Sequence, residues 1–196
     1  MSPLTNDERL FLLRLARRAL EVRLENKPAV NLSLEAPKFS PALRQRAGIF
    51  VSLHKSDELR GCVGFVEPRL PLYRAVMETA LAAATEDPRF SPLAAAELSE
   101  IAVEISVLSQ PLPITAREIR IGVHGLMITQ GPVRGLILPQ VAVERQWSPE
   151  RFLEETCRKA GLACDAWRRG ARVEAFQAVV FGEKSLVAGW VSQSLL

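Results

Sequence analysis

The chain has 196 residues, of which 48% are hydrophobic and 24% charged, with a formal net charge of +3. That length buries a real core as one large domain or two small lobes, with a composition ordinary for a soluble globular protein. Basic and acidic residues are interleaved rather than blocked, which argues against a nucleic-acid surface, and no apolar run approaches the ~20 residues of a membrane span.

Thr5-Asn6-Asp7-Glu8 opens a helix with a capping-box pattern, hydroxyl at the cap and Glu three residues on. Leu10, Leu13, Ala16, Leu20 and Leu24 recur at helical spacing, with Arg14, Arg17, Arg18 and Arg23 mostly opposite, as a solvated face. From Asn26 to Pro41 the chain reads as an irregular connection carrying Pro28, Pro37 and Pro41.

Ile49–His54 and Leu59–Phe65 have strand composition and are separated by polar turn residues, a hairpin. Strand alternation puts Val51 and Leu53 on one face with Leu59, Gly61 and Val63, and Ser52 and His54 on the other with Arg60, Cys62 and Gly64. A turn of about three residues sets Ser52 opposite Cys62 and His54 opposite Arg60. Cys62 between Gly61 and Gly64 is the candidate reactive group. Glycine inside a strand marks a bulge or the close approach of a backbone or ligand, and Arg60 on the same face favours a thiolate. The same pattern also fits a small hydrophobe on a buried strand.

Pro71 begins a second helix, Leu72 to about Glu86, ended by Pro88, and the stiff turn Asp87–Pro92 aims Arg89. Ile101–Leu108 alternates cleanly, its apolar face Ile101, Val103, Ile105 and Val107. If that face shares the core with Val51 and Val63, Glu104 lies on the sheet face of Cys62. Short strand-like pieces follow at Glu118–Ile121, Gly125–Thr129 and Val133–Leu138, with His124 as a turn residue. At Leu138-Pro139-Gln140 a strand gives way to a short helix, which aims Gln140 and free backbone N–H groups outward, and Gly135 permits close approach. Ser148-Pro149-Glu150 starts another helix, on which Cys157 is core and which Gly161 stops. Val173–Phe181 reads as one last strand, and residues 183–196 as a tail that packs on the body or pairs two copies as a homodimer.

Cys62, Cys157 and Cys164 stand at no metal-site spacing, which suits reduced thiols in a cytoplasm, and the N-terminus lacks a signal-peptide pattern. There is no H-x-x-x-H, C-x-x-C, phosphate-binding loop, dinucleotide fingerprint or G-x-S-x-G elbow. No metal or cofactor is called for. His54 is the better of two histidine partners for a nucleophilic cysteine. Two functions fit these residues. In an enzyme component, Cys62 reacts, Arg60 favours its thiolate or holds an anionic substrate, Glu104 serves as acid/base, and Gln140, Arg89 and His54 contact a small molecule or peptide. In a scaffold, Cys62 is merely small.

Gly48-Ile-Phe-Val-Ser-Leu53, Leu59-Arg-Gly-Cys-Val-Gly64, Asp87-Pro-Arg-Phe-Ser-Pro92, Val103-Glu-Ile-Ser-Val-Leu108 and Gly135-Leu-Ile-Leu-Pro-Gln-Val141 stand in this order, followed by Phe152-Leu and Cys157-Arg-Lys-Ala-Gly161. Together they resemble the AMMECR-type domain, over roughly Thr5 to Glu183. Ser52, Ser91 and Val63 depart mildly from its pattern; Arg60, Gly61, Cys62 and Gly64 do not. The resemblance implies an α+β fold of two lobes, an antiparallel sheet with packed helices, and an inter-lobe cleft near the signature cysteine. It also implies partnership with a Memo-type protein and a radical-SAM protein in a modification pathway.

Overall fold

The computed structural model describes residues 3–28 and 40–185. Helix α1 runs Asn6–Leu24 from a complete capping box, in which the Thr5 side chain takes the Glu8 N–H and the Glu8 carboxylate takes the Thr5 N–H at 2.7 Å. Most of the loop expected between Asn26 and Pro41 lies outside the described residues; its end forms the single-turn helix α2, Pro41–Arg44, capped by Ser40.

Two units divide the chain. The first comprises residues up to Val107 and from Val179 onward, the second Leu108–Ala178. In the first, strands β1 (Gly48–Lys55), β2 (Glu58–Phe65), β3 (Ile101–Leu108) and the last strand β8 (Ala178–Gly182) form a sheet ordered β2-β1-β3-β8. Helix α3, Leu72–Thr85, and α1 bury their apolar stripes against one face. Leu12, Leu20, Leu72, Val76 and Ala80 share a core with Ile49, Val51, Leu53, Val103 and Ile105. Each buried Leu, Ile or Val among them contributes about 1.5–3 kcal/mol. The buried side chains of α3 include Ala75, Ala80, Ala83 and Ala84, small enough to let neighbouring elements approach closely.

The second unit carries β4 (Leu112–Pro113), β5 (Gly125–Gln130), β6 (Val133–Ile137) and β7 (Arg172–Phe176), ordered β4-β7-β5-β6. Between β6 and β7 lie the short helix α4, Pro139–Glu144, and α5, Pro149–Lys159. Phe152, Leu153 and Cys157 of α5 pack on Leu126, Ile128 and Ile137. The fold is α+β, with two four-stranded antiparallel sheets.

Three sequence expectations change. Glu118–Ile121 is not a strand: the Glu118 carboxylate takes both the N–H and the hydroxyl of Thr115, and this capping arrangement winds Ala116–Glu118 into a 3-10 turn. The expected strand Val173–Phe181 is two strands, β7 and β8, in different sheets. Ser109 engages both backbone groups of Gln177, at 2.9 Å each, and removes that residue from either ladder. Arg17 is not part of a free solvated face: half-buried, it bonds the Glu183 carboxylate and the carbonyls of Leu98 and Ile101, clamping α1 to the start of β3.

Candidate functional site

The β1–β2 hairpin turns on two residues, Ser56 and Asp57, both at positive φ (50° and 68°), as tight hairpins require. Ser52 faces Cys62 as expected. His54 faces Leu59 rather than Arg60, because the turn is one residue shorter than expected and β2 recovers the register with a bulge at Arg60. Leu59 thereby moves to the His54 side, where it is exposed.

The bulge redirects Arg60. Its guanidinium makes a two-pronged pair with Glu97, both contacts at 3.0 Å, and donates to the Ser91 carbonyl at 2.9 Å. Glu97 also accepts the Ala94 N–H at 3.1 Å, and the Lys55 ammonium stands 3.6 Å away. Bonding to Arg60, then to the Ala94 N–H, holds the Glu97 carboxyl down to about 2. The signature arginine thus ties the hairpin to the segment leading into β3, and its charge is compensated there rather than at the thiol.

Cys62 is half-buried, and its sulfur accepts the Ser52 hydroxyl at 3.3 Å. Its backbone faces the outer edge of the sheet, because β2 is an edge strand. There the buried Asp87 carboxylate takes the Cys62 N–H at 2.8 Å, while Arg89, paired to the same carboxylate at 2.7 Å, reaches the Cys62 carbonyl at 3.4 Å. The two side chains stand in for a neighbouring strand and close the edge at Cys62. Bonding to Arg89 keeps Asp87 ionised far below the usual carboxylate range. The sequence pointed to Arg89 and missed Asp87; its signal was a carboxylate two residues before an arginine in a proline-stiffened turn.

The glycines answer to close approach within the chain. A Cβ on Gly61 would lie 2.2 Å from the Ala83 carbonyl of α3, and one on Gly64 would lie 2.3 Å from the Phe50 ring.

Val103 and Ile105 share the core with Val51 and Leu53, so Glu104 points to the opposite face, that of Ser52, His54 and Cys62. Beside it the ends of β1 and β8 and the start of β3 enclose a groove of about 250 Å3, lined by His54, Asp57, Ala102, Glu104, Lys184 and Ser185 among others. Lys184 and Asp57 form an exposed ion pair at this groove. The His54 Nε2 atom is buried and has no hydrogen-bond partner. Cys62 does not line the groove; Ser52 stands between it and His54 on this face. Asp57 and Lys184 were not expected as site residues, since only strand order reveals that the hairpin turn and the chain beyond β8 meet.

Gln140 belongs to the second unit, half-buried in the first turn of α4. Gly135 lets the end of α5 approach: a Cβ there would lie 2.5 Å from the Ala160 N. Cys157 is fully buried and burial pushes its thiol pKa up, while Cys164 is exposed. His124 accepts the Arg120 N–H through Nδ1 at 3.2 Å as part of a turn, and burial pulls its pKa down. Among the described residues no cluster of His, Cys, Asp or Glu could hold a metal ion, and no helix is long and apolar enough to cross a membrane.

A protein of Thermofilum pendens is 44% identical over 93% of both chains, and one of Methanothermobacter thermautotrophicus 44% identical over 93% of this chain and 97% of its own. The crystal structure of an uncharacterised protein from Pyrococcus horikoshii is similar at a TM-score of 0.78 and 39% identity, covering 88% of this chain and 90% of that one. The AMMECR1 family model matches residues 13–181, a span holding the Arg60–Gly64 signature, the Asp87–Arg89 clasp and the α5 core alike, and the chain belongs to that family.

Proposed function

We propose that the chain is a ligand-binding domain whose working face is the polar side of the first sheet, where Cys62, Ser52, His54 and Glu104 stand. The observation that carries this reading is the His54 Nε2, buried without a partner in a groove that also holds the Glu104 carboxylate and the Lys184 ammonium. An unpaired buried polar atom costs about 1–3 kcal/mol, which a bound hydroxyl, amine or amide would offset. A small polar molecule or the end of a peptide fits a groove of this size and lining. Glu104 then acts as acid/base or orienting group, and Cys62, its sulfur accepting the Ser52 hydroxyl, is the candidate nucleophile on the same face. On this reading the domain is an enzyme component of a modification pathway shared with a Memo-type and a radical-SAM protein, a part supported by the resemblance of its signature segments.

A second reading, a non-catalytic interaction module, is favoured by one set of contacts. Arg60, Gly61 and Gly64 each meet the chain's own Glu97, Ala83 and Phe50, so much of the signature serves folding. Native mass spectrometry of protein purified without dialysis separates ligand binding from its absence. We expect a low-mass adduct on the wild type and on Cys62→Ala, and its loss from His54→Leu/Glu104→Leu. Equal spectra for wild type and the double variant would end the groove reading.

A further inference from the structure

A second groove, of about 450 Å3, runs between β2 and α3 on the other face of the strand, lined by Val63, Phe65, Leu70, Leu81 and Ala82 with Thr79, Glu78 and Glu86. Two features set it apart from a packing fault. Thr79 is 3% exposed, and its hydroxyl oxygen is buried with no hydrogen-bond partner, although a helical threonine ordinarily bonds a carbonyl of the preceding turn. Glu78 and Glu86 make no ion pair among the described residues. The cation at the groove, Arg69, is already paired with Glu67 at 3.2 Å and lies over the Phe65 ring. The groove therefore presents two uncompensated carboxylates flanking an apolar strip.

Spacing defines what fits. Glu78 and Ala82 of α3 and Glu86, the residue that caps its C-terminus, recur every four residues, and eight residues at the helical rise span about 12 Å. In an extended peptide, side chains at i, i+2 and i+4 share a face, and i to i+4 spans about 13 Å. We propose that this groove binds an extended segment of a partner protein with the pattern basic-x-apolar-x-basic: the two cations meet Glu78 and Glu86, and the central side chain enters the strip over Ala82. The segment has a backbone partner as well. Cys62 directs its N–H and carbonyl outward to Asp87 and Arg89, so Gly64, two residues on, directs its own groups outward along the same edge. The Asp87–Arg89 clasp stops the pairing at Cys62 and so fixes the register.

The test uses a fluorescein-labelled nonapeptide, Gly-Ser-Lys-Thr-Val-Thr-Lys-Ser-Gly, and an isomer with its two lysines adjacent, titrated with the full chain by anisotropy at low salt. The spaced peptide is expected to bind, and the isomer, of equal charge, to bind about tenfold more weakly. Glu78→Gln/Glu86→Gln should weaken the spaced peptide about tenfold, and Ala82→Arg, which fills the groove from a half-buried position on α3, should abolish binding. Equal affinity for the two peptides, or an unchanged affinity of either variant, overturns the proposal. Wild-type chain that self-associates through these same residues would overturn the separate partner in favour of a second copy.

Discussion

Cys62 and Cys157 sit in regions built on opposite terms. Cys157 lies in an apolar core with Leu126, Ile128, Phe152 and Leu153, all fully buried. Cys62 lies on an edge strand whose surroundings are held by charge: Asp87 and Arg89 at its backbone, Arg60 and Glu97 beside it, Ser52 on its sulfur. A core held by packing leaves no group wanting a partner. A sheet face held by side-chain bonding at its edge stays polar and half-open, and the unpartnered His54 nitrogen belongs to that face.

Each region should fail in its own terms when damaged. Phe152→Ala removes a fully buried ring and should cost about 3–5 kcal/mol. Gly61→Ala forces a methyl against the Ala83 carbonyl, a backbone atom that cannot swing aside. It should cost about 3 kcal/mol. Chemical denaturation followed by circular dichroism reads both. Asp87→Asn should cost about 2 kcal/mol through its charged hydrogen bonds, with the loss concentrated at the β2 edge in hydrogen exchange of the Cys62 amide.

The charged region should also be the acid-labile one. A carboxylate whose folded pKa is depressed adds stability above its unfolded pKa and loses it as pH falls through the folded one. For Glu97 that window runs from its ordinary 4.5 down to about 2, and for Asp87 it extends lower still. Glu97→Gln should flatten this part of the stability–pH curve; a curve unchanged by the substitution would show that Arg60 and Glu97 do not act as described. The smallest effect belongs to Lys184→Ala, which breaks an exposed pair with Asp57. It should leave the melting temperature unchanged and alter only what the groove binds.

Much of this was legible before the structure. The capping box at Thr5, the alternation of Ile101–Leu108 and the Ser148-Pro149 start of α5 are local signals, and all three elements formed with nearly the expected bounds. The placement of Ser52 opposite Cys62 was legible too, but for an incomplete reason: a shorter turn and a bulge gave the register of a longer turn without one. That compensation misplaced His54 and Arg60. What stayed hidden depends on distant partners. Glu97 captures Arg60, Ser109 breaks the final strand at Gln177, and Lys184 meets Asp57 across the sheet end. A one-dimensional pattern carries none of these pairings, and they decide which charges near Cys62 are free.

The most direct test of the contrast is the alkylation rate of Cys62 by iodoacetamide in a Cys164→Ser background, with and without the low-mass fraction of an extract of its own cells. Cys62 is expected to label in the folded protein while Cys157 labels only on unfolding, and the extract is expected to slow Cys62. Labelling of both cysteines only on unfolding, or a Cys62 rate indifferent to the extract, would contradict the claim that this face of the first sheet is where the protein works.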